Sequence, residues 1–293
     1  SAARNLADLL PLVTPATVDR VMWCTDDRHP HDILEDGHLD ALVRKAIAGG
    51  LDPLLSIRAA TLSPARYFGL RDRGAVAPGR RGDLVAFRDL REPVIDRVFA
   101  AGRLAAADGR LGEAPWPAPV APPPNTFRLA GGTPDFRVPA RGRRLRVIGI
   151  VPGQIVTRHL VRDVSPQEDL IEADAGRDLL KLAVLERHQA SGRVGLGFVE
   201  GLGLTAGALA SSVAHDSHNL VVAGVNDRDM AVAAARVAAL GGGLAVAWGG
   251  EVRAELPLPI AGLMTPRPLE AIRADLDRLM EAARHLGCRL ADP

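Results

Sequence analysis

A short apolar run, Val21-Met22-Trp23-Cys24, ends at Thr25 and two adjacent carboxylates, Asp26 and Asp27. A loop of Arg28, His29, Pro30, His31 and Asp32 follows. Four to eight apolar residues bounded by turn formers predict a buried strand, although a buried helix segment gives the same pattern. Upstream, Leu6, Leu9 and Leu10 lie at helical spacing until Pro11 and Pro15 interrupt them. Downstream, Gly37-His38-Leu39-Asp40 leads into Leu42, Val43, Ala46 and Ile47, an amphipathic helix closed by Gly49-Gly50. Asp52 then suits an N-cap and Pro53 the first helical turn of the next helix. That helix carries Leu54, Leu55, Ile57, Ala60 and Leu62, and Ser63-Pro64 predicts the cap of a further short helix through Phe68.

The pattern then changes from helical spacing to short runs between tight turns. Gly74 to Phe87 reads as turn and strand, Val94 to Ala100 as strand, and Gly102-Arg103 as turn, which together predict a small β module. Residues 112–126 are a Pro-rich linker, which cannot pack as a sheet or helix interior and is semi-extended. Beyond it, strands are predicted at Arg144 to Val151, Gln154 to Leu160, Leu179 to Arg187 and Leu220 to Val225. A glycine-rich apolar stretch runs from Gly195 to Gly207. Asn226-Asp227 caps a helix from Asp229 to Leu240 that Gly241-Gly242-Gly243 ends. Leu244 to Trp248 and Val252 to Leu256 form a hairpin, and Leu269 to Leu286 a last amphipathic helix.

Composition bounds the function. At 293 residues the chain is long enough for two domains, taking about 150 residues per domain. Aromatic residues make up 3%, so the core must be aliphatic. The net charge is +1, from 36 basic and 35 acidic residues. That balance gives no electrostatic case for nucleic acid or an anionic membrane surface. No apolar run is long enough for a transmembrane helix and no signal peptide is visible. Cys24 and Cys288 form neither a disulfide framework nor a metal spacing, which points to a reducing cytoplasm. The chain begins at Ser1 directly in a helical pattern, which reads as a piece of a longer protein.

Several polar residues are candidates for chemistry. Carboxylates at the C-terminal tip of a buried strand sit where parallel α/β sheets and barrels carry their active sites; Asp26 and Asp27 equally suit a helix cap. His215-Asp216-Ser217-His218-Asn219 is the densest polar cluster, and burying it requires that each group be paired. It reads as a substrate or supporting contact, or as a turn network. Glu186-Arg187-His188 ends an apolar strand and reads first as an internal ion pair, with Glu186 and His188 as further candidates. The glycines from Gly195 to Gly207 lack a phosphate-loop order and read as close backbone packing. His29-Pro30-His31 has metal-pair spacing but lies in the loop. His38 reads as a cap or packing residue, and Cys24 as core.

Three features together resemble the amidohydrolase superfamily. They are the strand ending Thr25-Asp26, the helix with Ala59-Ala60-Thr61-Leu62-Ser63-Pro64-Ala65, and Gly74-Ala75-Val76-Ala77-Pro78-Gly79-Arg80-Arg81-Gly82-Asp83-Leu84-Val85. Gly82 replaces the usual Ala before Asp83. A narrower resemblance, to the bacterial adenine deaminase family, rests first on Thr25-Asp26-Asp27-Arg28-His29-Pro30 and Gly37-His38-Leu39-Asp40. It is joined by Lys181 to His188, Ser211 to Asn219 and Leu256 to Met264.

The resemblance implies a mixed α/β and α+β fold. Residues 1–68 would be the last helix, strand and helix portion of an amidohydrolase (β/α)8 barrel, and residues 69–111 part of its small β-sandwich. After the 112–126 linker, residues 127–293 would be a separate α+β C-terminal domain. It implies hydrolytic deamination of adenine to hypoxanthine and ammonia, a purine-salvage reaction in a cytoplasmic homo-oligomer. A divalent metal, Mn or Fe with Zn as the alternative, would lower the pKa of a bound water, and a neighbouring carboxylate would shuttle its proton. Asp26 would be that ligand and shuttle. Asp27, His215, Asp216, His218, Asn219, His188 and Glu186 would contact or support the purine. The family's His-x-His pair does not precede Asp26, so the other metal ligands are expected outside this chain and the chain alone is expected to be inactive. A different amidohydrolase deaminase, or a non-catalytic paralogue serving assembly or regulation, are the rival readings.

Overall fold

The computed structural model describes residues 5–113 and 120–291. The first four residues, the last two and residues 114–119 of the Pro-rich stretch lie outside the described residues. The chain divides into two compact units, Ser1–Pro119 and Val120–Pro293, and its secondary structure is mixed α/β.

In the first unit, α1 (Leu6–Leu9) and 3-10 turns at Leu10–Leu12 and Val18–Arg20 lead to α2 (Pro30–Glu35), α3 (Leu39–Ala48), α4 (Pro53–Ala60) and α5 (Leu62–Tyr67). The helix signals act as expected at α4. Asp52 accepts from the Leu54 and Leu55 N–H groups, and Pro53 occupies the first turn, where its missing donor costs nothing. Val13, Val18, Ala46, Leu51 and Ala59 form the helical core. Ser63 does not cap α5: that helix begins one residue earlier, and the Ser63 hydroxyl donates to Val18 O at 2.7 Å.

The run Val21 to Thr25 is extended but, among the described residues, joins no ladder. A strand needs a neighbour for its N–H and C=O groups. Here Trp23 instead donates its backbone N–H to Ala59 O at 3.1 Å and its indole N–H to Ser56 O at 2.9 Å, so the run lies along α4. Cys24, expected in the core, is exposed. The β module is one antiparallel sheet of β1 (Leu84–Phe87), β2 (Ile95–Ala100), β3 (Arg103–Ala107) and β4 (Arg110–Leu111) in chain order.

The second unit holds an eight-stranded sheet of β5 (Arg144–Ile150), β6 (Thr157–Asp163), β7 (Leu180–Leu185), β8 (Val194–Glu200), β9 (Ala208–Ser211), β10 (Leu220–Gly224), β11 (Gly243–Trp248) and β12 (Glu251–Pro257). Their order across the sheet is β12-β11-β9-β10-β7-β8-β5-β6. The strands pair antiparallel except β5 with β8. Alternate residues point to opposite faces. Ala183, Leu185, Val222, Ala245 and Ala247 pack with α6 (Asp227–Ala239), whereas Leu180, Ala223 and Val246 pack with α7 (Leu269–His285) and its continuation Leu286. Alanines on both sides, Ala233 and Ala234 of α6 against Ala208 and Ala210, allow close approach with few aromatic residues.

Two sequence readings shift here. The second strand starts at Thr157 rather than Gln154. The hairpin register sets Leu160 opposite Val147 in a shared core, which leaves Ile155 and Val156 exposed in the connection. The glycine-rich stretch takes in all but the first residue of β8, and β9 follows it. Gly201, Gly203 and Gly207 do meet close neighbours, but Gly197 faces open space.

Candidate functional site

In the first unit the candidate residues lie between the extended run and α3. Asp26 is exposed, in left-handed backbone geometry with φ 53°, and its Oδ1 accepts from the Asp27 N–H at 2.9 Å. Asp26 does not cap α2: the residue before that helix is His29, and no side chain caps it. Behind this turn a charged network fixes the loop. Arg28 donates to Asp32 O at 3.1 Å and to Asp36 Oδ2 at 3.2 Å. Lys45 reaches the same Asp36 oxygen at 2.6 Å, and its hydrogen bond and charge hold the Asp36 carboxyl below its ordinary range.

His38 precedes α3 without capping it; Asp40 accepts from the His38 N–H at 2.8 Å instead. Burial pushes the Asp40 carboxyl up, but the bonds from Arg44 and the His38 N–H outweigh it and hold it low. The His38 ring lies 3.2 Å from the Thr25 hydroxyl, which joins two segments of the narrower resemblance. His29 and His31 stack with ring centroids 5.5 Å apart. Among the described residues no three His, Cys, Asp or Glu side chains come together as a metal-holding group. First-row divalent sites take several ligands, so Asp26 with its described neighbours does not fit a complete metal site.

In the second unit, three segments of the resemblance meet at Arg187. The expected Glu–Arg ion pair is not formed. Arg187 is 2% exposed, and among the described residues no carboxylate pairs with it. Its Nε donates to His218 O at 2.5 Å and its Nη1 to Ala261 O at 2.7 Å, while the guanidinium lies over the Phe127 ring at 5.2 Å. Burial alone pulls its pKa down from the ordinary arginine value. Gly262 lies beside this contact: a Cβ there would lie 3.2 Å from Arg187 Nη1 and 3.0 Å from the Phe127 ring.

Glu186 turns away from the arginine into its own loop. It accepts from the Ser191 N–H and hydroxyl, then the Gln189 and His188 N–H groups, which hold its carboxyl down to about 2. The loop from Ser212 to Asn219 joins β9 to β10 and is tied at several points. Ser212 is buried and donates to Gly262 O at 2.5 Å; the His188 ring meets Ser217 O at 2.9 Å. His215 and His218 do not share a helical face. They lie on a turn, edge to face, 5.1 Å apart, with His215 and Asp216 exposed. Among the described residues, His218 Nδ1 and Asn219 Oδ1 are buried without a hydrogen-bond partner.

Lys181 was not among the sequence candidates. It is 1% exposed, with Glu172 at 2.6 Å and Asp227 at 2.7 Å. Its signal was legible: Lys181 occupies the same face of β7 as Ala183 and Leu185, at an alternation position where an apolar residue would be expected. No helix among the described residues is long and apolar enough to cross a membrane.

Comparison with known proteins finds matches to both segments of the chain. Residues 3–105 match the amidohydrolase family and residues 154–293 the adenine deaminase C-terminal domain. The whole chain is 46% identical over 293 residues to an adenine deaminase of Desulfatibacillum aliphaticivorans, covering 52% of that protein. It is 50% identical over 294 residues to an adenine deaminase of Methylobacterium nodulans, again covering 52% of it. It is 45% identical over 298 residues to one of Brucella abortus, covering 50%. The chain spans about half the length of the curated relatives it matches. Along its full length it is therefore similar to that half of the adenine deaminases, an amidohydrolase-family segment followed by an adenine deaminase C-terminal domain.

Proposed function

We propose that the chain is part of a longer hydrolase that converts adenine and water to hypoxanthine and ammonia. The observation that carries this reading is similarity across both segments, at 45–50% identity, to proteins named adenine deaminase. In this reading residues 1–68 complete a (β/α)8 barrel, residues 69–111 contribute to a small β-sandwich, 112–126 link, and 127–293 form the C-terminal domain. The exposed apolar residues of the β1–β4 sheet, among them Val85, Leu104 and Leu111, support a sheet that is covered in the longer protein.

Asp26 supplies one carboxylate to a divalent metal, Mn or Fe, whose other ligands lie outside the described residues. Its exposure at the end of the extended run, with Oδ1 steadied by the Asp27 N–H, supports that role. Asp27, Glu186, His188, His215, Asp216, His218 and Asn219 are second-rank contacts to substrate or to the groups that hold it. The protein is a cytoplasmic homo-oligomer acting on a small purine, without nucleic acid or membrane partners. The test is ammonia release by the complete gene product, loaded with Mn²⁺ or Fe²⁺, from adenine, adenosine and cytosine. Release from adenine alone is expected; no release from adenine overturns the reading.

A further inference from the structure

We propose that His38 is a positioning residue for this reaction, acting through Thr25 to fix the turn that presents Asp26; the inference rests on the adenine deaminase reading. His38 stands directly before α3, where a side chain that accepts from the first N–H groups stabilises a helix. Its ring makes no such bond. Instead it reaches back 13 residues, and its Nε2 lies 3.2 Å from the Thr25 hydroxyl. The residue after Thr25 is Asp26, exposed and with φ 53°.

Both sides of this contact are braced. Asp40 accepts from the His38 N–H at 2.8 Å and from Arg44 at 2.5 Å. Gly37 has φ 102°, and a Cβ there would lie 2.7 Å from Asp40 Oδ2, so glycine lets that carboxylate close against the chain just before His38. Arg28 and Lys45 both reach Asp36 Oδ2, and Arg44 donates to Asp36 O at 2.5 Å, which holds the end of the loop to α3. On the other side Trp23 is tied to α4 through Ala59 O and Ser56 O. The contact between His38 and Thr25 joins the end of this loop to its start, next to Asp26. One hydrogen bond at the surface adds little to the stability of a domain. A reacting group displaced by about 1 Å can lose about a hundredfold in rate. The contact therefore bears on where Asp26 is held far more than on whether the unit folds.

The experiment compares His38→Ala, His38→Gln, Thr25→Val and the Thr25→Val/His38→Ala double variant in the metal-loaded complete gene product. In His38→Ala and Thr25→Val, kcat for adenine should fall about tenfold to a hundredfold, with KM within about threefold of wild type. The double variant should be no worse than the slower single, because both remove one contact. A glutamine amide can donate to the hydroxyl or accept from it, so His38→Gln should recover most of the lost rate. Deuterium uptake by residues 24–29, read by mass spectrometry on the metal-free protein, should rise in His38→Ala and Thr25→Val and return towards wild type in His38→Gln. Thr25→Val removes the same contact from its other side and carries the test if His38→Ala fails to fold. Unchanged kcat or unchanged uptake in a folded single variant, losses that multiply in the double variant, or no recovery in His38→Gln would overturn the inference while leaving the deaminase reading intact. A wild-type protein that releases no ammonia from adenine overturns both.

Discussion

The Lys181 ammonium lies 2.7 Å from Asp227 Oδ1, with the lysine 1% exposed and the Asp227 side chain 36% exposed. Glu172, 2.6 Å away, is 41% exposed. The arrangement is lopsided: the cation is buried and both anions reach water. Removing one partner of a buried pair is costly because it strands the other charge. Here only one direction strands a charge. The Glu172→Gln/Asp227→Asn double variant should lose about 3 kcal/mol, as judged for a cation left unpaired in the interior. Lys181→Met frees two carboxylates that water can solvate and should cost about 1 kcal/mol or less. Urea denaturation of the three proteins checks this, and equal losses would refute the asymmetry.

Glu186 gives a prediction in pH. Its folded pKa is about 2, depressed from 4.5 by the Ser191 N–H and hydroxyl and the Gln189 and His188 N–H groups. A depressed carboxyl contributes stability that is fully present above its unfolded pKa and is lost as pH falls through the folded value. The window is therefore between about 4.5 and 2. Glu186→Gln should lower the urea midpoint at pH 7, and the gap to wild type should close as pH falls through that window. A gap that stays constant down to pH 2.5 would mean the loop does not depend on the carboxylate's charge.

Glycine geometry gives a third. Gly243 opens β11 with φ 138°, and a Cβ there would lie 2.0 Å from Leu256 O. Strained backbone of this kind costs a non-glycine residue about 1–3 kcal/mol before any clash. The obstacle is a backbone carbonyl held in the β11–β12 ladder, which cannot move aside as a flexible side chain would. Gly243→Ala should cost more than about 3 kcal/mol. Gly197→Ala, on the same sheet but facing open space, should be tolerated. Thermal melts of the two variants separate these cases.

These contrasts show what the sequence could and could not convey. The period of apolar residues located α3, α4, α6, α7 and the β11–β12 hairpin, because each buries one face and is closed by local signals such as Asp52, Asn226 and the glycines before β11. Val21 to Thr25 misled, since an apolar run specifies burial but not the neighbour that makes it a strand; α4 took that place. The same limit applied to Arg187. Its adjacency to Glu186 suggested a pair, but successive residues of an extended chain point to opposite sides. Glu186 found its partners in the next turn, whereas Arg187 found its own in loops separated by tens of residues. The polar cluster at His215 to Asn219 was legible as a cluster; its anchoring by Ser212, His188 and Arg187 was not.

Asp26 carries the sharpest functional prediction. It is exposed, and its carboxylate accepts from the N–H of the next residue, a bond that asparagine's carbonyl oxygen can also accept. Asp26→Asn should therefore leave the fold and the melting temperature close to wild type. In the complete gene product it should nevertheless cut turnover of adenine by orders of magnitude, since the amide brings no negative charge to a divalent cation and cannot hold a transferred proton at neutral pH. Metal content per chain, measured by atomic emission, should fall with it. Cys24→Ala, two residues away and exposed, should leave both quantities unchanged. Loss of activity together with loss of fold in Asp26→Asn would instead assign Asp26 to the structure of the turn, and near-normal turnover would remove it from the site altogether.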